Sequence, residues 1–322
     1  SASPAHQPPA DPMSTRYDII LGCPHSGTTY LSRLFNTIPA FESLVGTLLP
    51  TAIPHVVNQP LEASVYNALA QGFERSLDAY LHSGRYHSKA AELQKWANAP
   101  TGLRGLWNVV AGPRPMPDVM VYKEPALGWA PRFVMDAFPD APLIHIYRDG
   151  RDVANSLVRS YNVLTDDSLR TLKGSEVRIG RPYDPSGRDP RYVPWWVDDA
   201  DADAFMRAAP YVRAAWMWAT IVRRCHEAFA EAQAQNRNPV LQIRYEDLVT
   251  DPKTHGHRAL EFLGGRPTRR FEAILDKTYT SSIGSYARRN PNEVAAAERV
   301  AEAELRRYGY TLTHTERLTL AG

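Results

Sequence analysis

Tyr17-Asp18-Ile19-Ile20-Leu21-Gly22-Cys23-Pro24-His25-Ser26-Gly27-Thr28-Thr29 decides the fold of this chain, because an apolar run passes directly into a glycine-bracketed loop and then into helix-forming sequence. That order is the order of a phosphate-binding strand, loop and helix. Glycines allow the tight turn, and successive N–H groups with a helix N-terminus starting near Thr28 cradle an anion. Compared with the loop G-x-x-x-x-G-K-[ST] of nucleoside-triphosphate enzymes, the lysine position holds Thr28. The loop therefore lacks the cation that reaches the β- and γ-phosphates of ATP. It is built to hold a phosphate and poorly equipped to transfer a γ-phosphoryl group.

A second segment repeats the theme. Leu143-Ile144-His145-Ile146-Tyr147 reads as a short buried strand running into Arg148-Asp149-Gly150-Arg151-Asp152-Val153-Ala154-Asn155-Ser156, which opens a helix. Arg148 thus stands at the carboxyl end of a strand, where open α/β sheets bind ligands. Ser156 follows about two helical turns later, so its hydroxyl can face the same crevice. An arginine offers a bidentate fork to a phosphate, and a serine adds one hydrogen bond. Coupled to the loop at Gly22, the segment implies a ligand with phosphate groups at two separated places.

With these two segments the chain resembles the sulfotransferases that use 3′-phosphoadenosine 5′-phosphosulfate (PAPS). Pro24-His25-Ser26-Gly27-Thr28-Thr29 looks like that family's 5′-phosphosulfate loop, and Arg148 through Ser156 looks like its 3′-phosphate motif. Arg244-Tyr245-Glu246-Asp247-Leu248, with Asp251-Pro252 beyond it, resembles the stretch after the fourth core strand. Ile283-Gly284-Ser285-Tyr286-Ala287-Arg288-Arg289 is similar to the late glycine-and-basic segment that closes over the 3′-phosphate. The resemblance implies a P-loop-like parallel sheet and PAPS as cofactor. It places Ser26, Gly27, Thr28 and Thr29 on the 5′-phosphate and Arg148 and Ser156 on the 3′-phosphate. His25, Tyr30, Tyr245, Arg288 and Arg289 join the cofactor-binding set. The reaction it implies is in-line transfer of a sulfuryl group to a hydroxyl, or else an amine, of a small-molecule, glycan or lipid acceptor, without a metal.

Two positions depart from the family pattern. His25 stands where a lysine or arginine is usual, so cofactor charge shifts towards Lys123, Arg148 and the late arginines. In Val121-Tyr122-Lys123-Glu124-Pro125, the residue two positions after the lysine is Pro125, where cytosolic relatives carry a catalytic histidine. The general base must then be another residue. Glu124, beside Lys123 at a strand end, is the first candidate; Glu42, after Pro39, and His55, beyond Pro54, are its rivals.

Composition bounds the alternatives. A chain of 322 residues with 43% hydrophobic and 22% charged residues can form one large α/β domain with an ample core. A net charge of +2 gives no footprint for nucleic acid. Cys23 and Cys225 are the only cysteines, a usage that fits a reducing cytosol, and no apolar run approaches membrane-spanning length. Residues 1–15 read as a disordered leader without the apolar core of a signal peptide, and residues 16–322 as the sulfotransferase domain. Oligomeric state leaves no signal.

Strand-like runs at 17–22, 118–122, 143–147 and 239–244 alternate with helical patterns, which predicts a parallel sheet with helices on both faces. Between the first two, Leu61 to Ala70, Phe73 to Leu81 and Ala90 to Trp96 read as helices, and Ala208 to Ala234 reads as a long one with core aromatics. Asn292 to Arg307 reads as a solvated amphipathic helix. The Gly-, Pro- and Asp-rich stretch 162–205, with Trp195-Trp196, reads as a lid-like insertion over the acceptor, or as a loop packed back on the domain. Two other function classes fit the loop: a P-loop kinase or nucleotide hydrolase, and a non-catalytic nucleotide-binding protein of the same fold.

Overall fold

β1 (Arg16–Leu21) forms because five consecutive residues after Arg16 bury their side chains, the pattern of a central parallel strand covered on both faces. The computed structural model describes residues 15–38, 41–45, 52–82, 93, 118–171 and 180–313. After β1 come α1 (Thr28–Phe35), β2 (Phe41–Val45), α2 (Ala52–Val57), α3 (Ala63–His82) and β3 (Val119–Lys123). A 3₁₀ turn (Pro125–Trp129) leads to α4 (Pro131–Ala137), β4 (Leu143–Tyr147), α5 (Gly150–Tyr161) and α6 (Asp166–Thr171). The short strands β5 (Gly180–Pro182) and β6 (Tyr192–Pro194) precede α7 (Ala202–Arg207) and α8 (Pro210–Ala234). β7 (Val240–Arg244) closes the sheet, and after it come α9 (Tyr245–Thr250), α10 (Pro252–Phe262), α11 (Arg269–Leu275), α12 (Pro291–Val300) and α13 (Glu302–Arg307).

The main sheet has five strands in the order β2-β3-β1-β4-β7, all pairs parallel. Side chains alternate across it. Ile19, Leu21, Met120 and Tyr122 face one core layer with Phe73, Phe133, Tyr211, Trp218 and Phe229. Ile20, Val119, Val121, Ile144 and Ile146 face the other, with Leu31, Phe35, Leu260 and Phe271. Helices therefore cover both faces, as the alternation of strand and helix predicts. Gly150 lets α8 lie against the start of α5, since a Cβ there would meet the Trp218 ring at 2.3 Å.

Four local readings change. β2 is a strand that the sequence reading does not contain, paired with β3 on the sheet edge. The two helices expected between 61 and 81 are one, α3, while 90–96 lies outside the described residues except Leu93. The helix expected over 292–307 breaks at Ala301, and its acidic residues are not all solvated: Glu298 and Glu304 are buried. Within 162–205 the described residues carry α6, a two-stranded antiparallel ribbon of β5 and β6, and α7. Trp196 there is buried and stacks on Trp129 at 4.9 Å. Residues 1–14 lie outside the described residues.

Candidate active site

β1 and β4 are neighbours, yet the chain leaves β1 towards β2 and β3 on one side before returning to β4 on the other. Such a switch point opens a crevice beyond the carboxyl ends of the strands. Both sequence motifs meet there. Ser26 N–H donates to the Cys23 carbonyl at 3.1 Å, closing the loop turn. His25 and Gly27 both adopt positive φ, 70° and 100°, and a Cβ on Gly27 would also strike the Tyr245 ring at 2.5 Å. A non-glycine residue held in this region stores strain of the kind found at ligand sites. No side chain among the described residues caps α1 at Gly27, the end at which a helix carries N–H groups without intrahelical partners.

Arg148 is buried where β4 ends. Its guanidinium lies 4.7 Å over the Tyr245 ring and donates to the Ser282 carbonyl at 2.6 Å and the His25 carbonyl at 3.4 Å. Ser156 Oγ is 3.0 Å from His25 Nδ1, so the phosphate loop and the first turns of α5 are directly joined. The His25 ring also packs on Tyr161. Burial, then the charges of Arg148 and Lys123, push the His25 pKa down to about 4, which leaves the imidazole neutral near pH 7. Two buried donors in this crevice have no partner among the described residues: Ser26 Oγ and Arg148 Nε. Buried polar groups are almost always satisfied, and both of these are donors of the kind an anion would satisfy.

The missing loop cation is supplied from another strand. Lys123, at the end of β3, donates from Nζ to Thr29 Oγ1 at 3.2 Å. Burial lowers its pKa, an effect opposed by the neighbouring Glu124 charge. Glu124 is buried and caps the 3₁₀ turn, accepting the Ala126 N–H at 3.0 Å. His55, on α2, meets the Trp195 ring edge-on at 5.5 Å, and Trp195 in turn packs on Trp129 at the end of that turn. Glu42 pairs in register with Met120, three residues before Lys123 on the adjoining strand, and so lies on the edge strand away from the carboxyl ends.

The other residues that the sequence assigns to the cofactor lie in or against a late segment. Tyr30 hydroxyl is 2.7 Å from Thr278 Oγ1, and Tyr245 hydroxyl is 3.1 Å from Ser282 Oγ. Arg289 bonds Asn155 Oδ1 at 2.9 Å, pairs with Glu293 and lies over Tyr211, whereas Arg288 is exposed. Three residues that sequence reasoning passed over complete the site: Asp152, Ser282 and Glu246. Glu246 accepts the Asp149 N–H at 2.9 Å and the Tyr310 hydroxyl at 3.0 Å, tying the end of β7 to the start of α5. Its place directly after Tyr245 is the one signal the sequence offers for it. Among the described residues no His, Cys, Asp and Glu cluster is arranged to hold a metal ion, and no helix is long and apolar enough to cross a membrane.

No curated protein matches the chain in sequence. Solved structures similar to it include the sulfotransferase domain of the Synechococcus PCC 7002 olefin synthase, 18% identical over 95% of this chain and 98% of that one, with a TM-score of 0.46. A sulfotransferase domain from the curacin biosynthetic pathway is 15% identical over 93% and 99%, TM-score 0.48. Sulfotransferase STF9 from Mycobacterium avium is 16% identical over 92% and 78%, TM-score 0.44. The sulfotransferase family model matches residues 19–179, half of the chain, and that span runs from β1 through both phosphate motifs: the chain belongs to the sulfotransferase family.

Proposed function

We propose that the protein transfers a sulfuryl group from PAPS to a hydroxyl group of a small-molecule, glycan or lipid acceptor. The observation that carries this reading is the pair of unpartnered buried donors, Ser26 Oγ and Arg148 Nε, at the ends of adjacent strands. A nucleotide phosphorylated at both 5′ and 3′ positions offers an acceptor to each, which supports the reading that these residues fit the cofactor. Ser26, Gly27, Thr28 and Thr29 hold its 5′ end, with Lys123 beside them, while Arg148 and Ser156 hold its 3′-phosphate. Bound PAPS supplies an activated sulfuryl group and a stable bisphosphate leaving group.

The protein's own residues do the rest. Lys123 and the N–H groups of the loop stabilise negative charge as it grows on the departing phosphate, and they are already oriented for that task. His25, neutral and joined to Ser156, orients the loop without adding charge. Glu124 takes the proton from the acceptor hydroxyl, being next to Lys123 at the strand end. Trp129, at the end of the turn that Glu124 caps, packs with Trp195 and through it meets His55, and these rings form the wall against which the acceptor is proposed to lie.

One observation favours a second reading: Lys123 beside Thr29 restores a cation to the loop, as phosphoryl transfer requires. Incubation with radiolabelled PAPS and a panel of hydroxylated metabolites, glycans and lipids separates the two. Label passing from PAPS to an acceptor is the expected result. Phosphate release from ATP with magnesium, and no transfer from PAPS, would move the protein to the kinase or hydrolase class.

A further inference from the structure

Four charged residues cluster at the end of β4, and their hydrogen bonds divide them into two pairs with different partners, while the Arg151 guanidinium also lies 4.2 Å over the Tyr286 ring. Asp149 and Arg151 turn towards the carboxyl-terminal part of the chain. Arg151 bonds Asp149 at 2.7 Å, Glu298 at 2.6 Å and the Thr311 carbonyl at 2.9 Å, a buried network that fixes α12 and the segment at Thr311. Arg148 and Asp152 instead face the late segment. Asp152 is 1% exposed, and its two oxygens accept three hydrogen bonds from one turn: Gly284 N–H at 2.8 Å, Ser285 Oγ at 2.8 Å and Tyr286 N–H at 3.1 Å. Gly284 has φ of 69°, the left-handed conformation that lets this turn fold onto the carboxylate.

The same turn controls Arg148. Its Ser282 carbonyl takes the shortest hydrogen bond that Arg148 makes, at 2.6 Å, and Asp152 Oδ2 stands 3.7 Å from the same Nη2. That distance is an ion pair without a hydrogen bond, so Asp152 biases the guanidinium without occupying its fork. The N–H groups of Gly284 and Tyr286, which would otherwise be free to bind an anion, are committed to Asp152. A buried carboxylate beside an anion site is electrostatically costly unless its donors are as numerous as these.

We infer that Asp152 is a positioning residue for the 3′-phosphate end of the site: it holds the Ser282–Tyr286 turn, and the Ser282 carbonyl in that turn sets the plane in which Arg148 meets the phosphate. The inference rests on the proposed nucleotide reading. It gives Asp152 no contact with the cofactor. Its consequence is selective: losing Asp152 releases Arg148 and weakens the 3′ end, leaving the loop at the 5′ end intact.

The test is calorimetric titration of the full chain with adenosine 3′,5′-bisphosphate and with AMP, which lacks the 3′-phosphate. Wild type binds the bisphosphate more tightly. In Asp152→Ala the ratio of the two affinities falls by at least about tenfold, with AMP affinity within about twofold of wild type. Asp152→Asn keeps one oxygen for Ser285 and Tyr286 and loses the acceptor for Gly284, so its ratio falls less. An unchanged ratio in folded Asp152→Ala, or equal loss of both affinities, overturns the positioning role. If Asp152→Ala does not fold, Ser285→Ala decides, since it removes from the turn's side the bond to Asp152, together with the one from Asn155 Nδ2: a ratio lowered about threefold supports the role and an unchanged ratio overturns it. A wild type that binds both nucleotides equally overturns the nucleotide reading itself, and the inference with it.

Discussion

The two connections that border the site meet it by different means. Residues 180–203 carry ion pairs of their own, Arg181 with Asp199 and Arg191 with Asp166, but what they turn towards Trp129 is aromatic: Trp196 stacks on Trp129, meets Phe205 edge-on at 5.3 Å and is buried, while Trp195 shares Arg224 with Trp129. Residues 278–289 are fixed by hydrogen bonds to the nucleotide motifs and α5, where they meet Tyr30, Tyr245, Arg148, Asp152 and Asn155. Apolar packing is indifferent to what charge lies in the crevice. Hydrogen bonds to Arg148 and Asp152 are not. Under the proposed function the first connection is a wall on the acceptor side, and the second is a latch whose geometry answers to the nucleotide.

The largest expected effect lies where the two regions join. Glu124 caps the turn that carries Trp129 and stands beside Lys123, so it belongs to both. Glu124→Gln keeps an oxygen for the Ala126 N–H and removes basicity, so sulfuryl transfer should slow by about 10²–10⁴ while nucleotide affinity and unfolding midpoint hold. Steady-state kinetics decide it. Turnover within about threefold of wild type moves the base to His55, since Glu42 lies away from the carboxyl ends of the strands.

Next comes the wall. Trp196→Ala removes a buried indole from between Trp129 and Phe205 and should cost about 3–5 kcal/mol in denaturant unfolding. Affinity for adenosine 3′,5′-bisphosphate should change by less than about twofold. A parallel loss of nucleotide affinity would erase the distinction between wall and latch.

A smaller effect probes the scaffold beneath both. His145, in β4, is fully buried against Phe229 and Tyr308, and neither ring nitrogen has a partner among the described residues. Burial, then the nearby His226, pushes its pKa down to about 3 from 6.5. The unfolded chain therefore takes up a proton that the folded one refuses: the stability His145 permits is full above 6.5 and is lost as pH falls towards 3. His145→Phe should flatten the decline between about pH 7 and about pH 5, by up to about 1.4 kcal/mol per pH unit. Identical slopes for the two proteins in denaturant titrations would remove His145 as the cause.

Much of the crevice at the ends of β1 and β4 was legible in the sequence, because its signals are local. Gly22 to Thr29 and Arg148 to Ser156 each combine a strand, a turn and a helix start within a few residues. The sheet came from four apolar runs, but β2 did not, being a five-residue edge strand with polar residues in its middle. Lys123 reaching Thr29 spans 94 residues and Asp152 reaching Ser285 spans 133, and no local pattern reports such pairs. The wall was ambiguous for a physical reason: adjacent tryptophans in a polar stretch suit a ligand as well as a core, and only the position of Trp129 separates the two.

One nucleotide spanning both motifs, with Arg148 on its 3′-phosphate, is the central claim. Calorimetric titration of adenosine 3′,5′-bisphosphate into wild type and Arg148→Ala tests it most directly. Losing a charge-assisted bond of this kind costs about 1.5–3 kcal/mol, so the variant should bind at least about tenfold more weakly at a temperature where both proteins are folded. Equal affinity in the two proteins would contradict the claim.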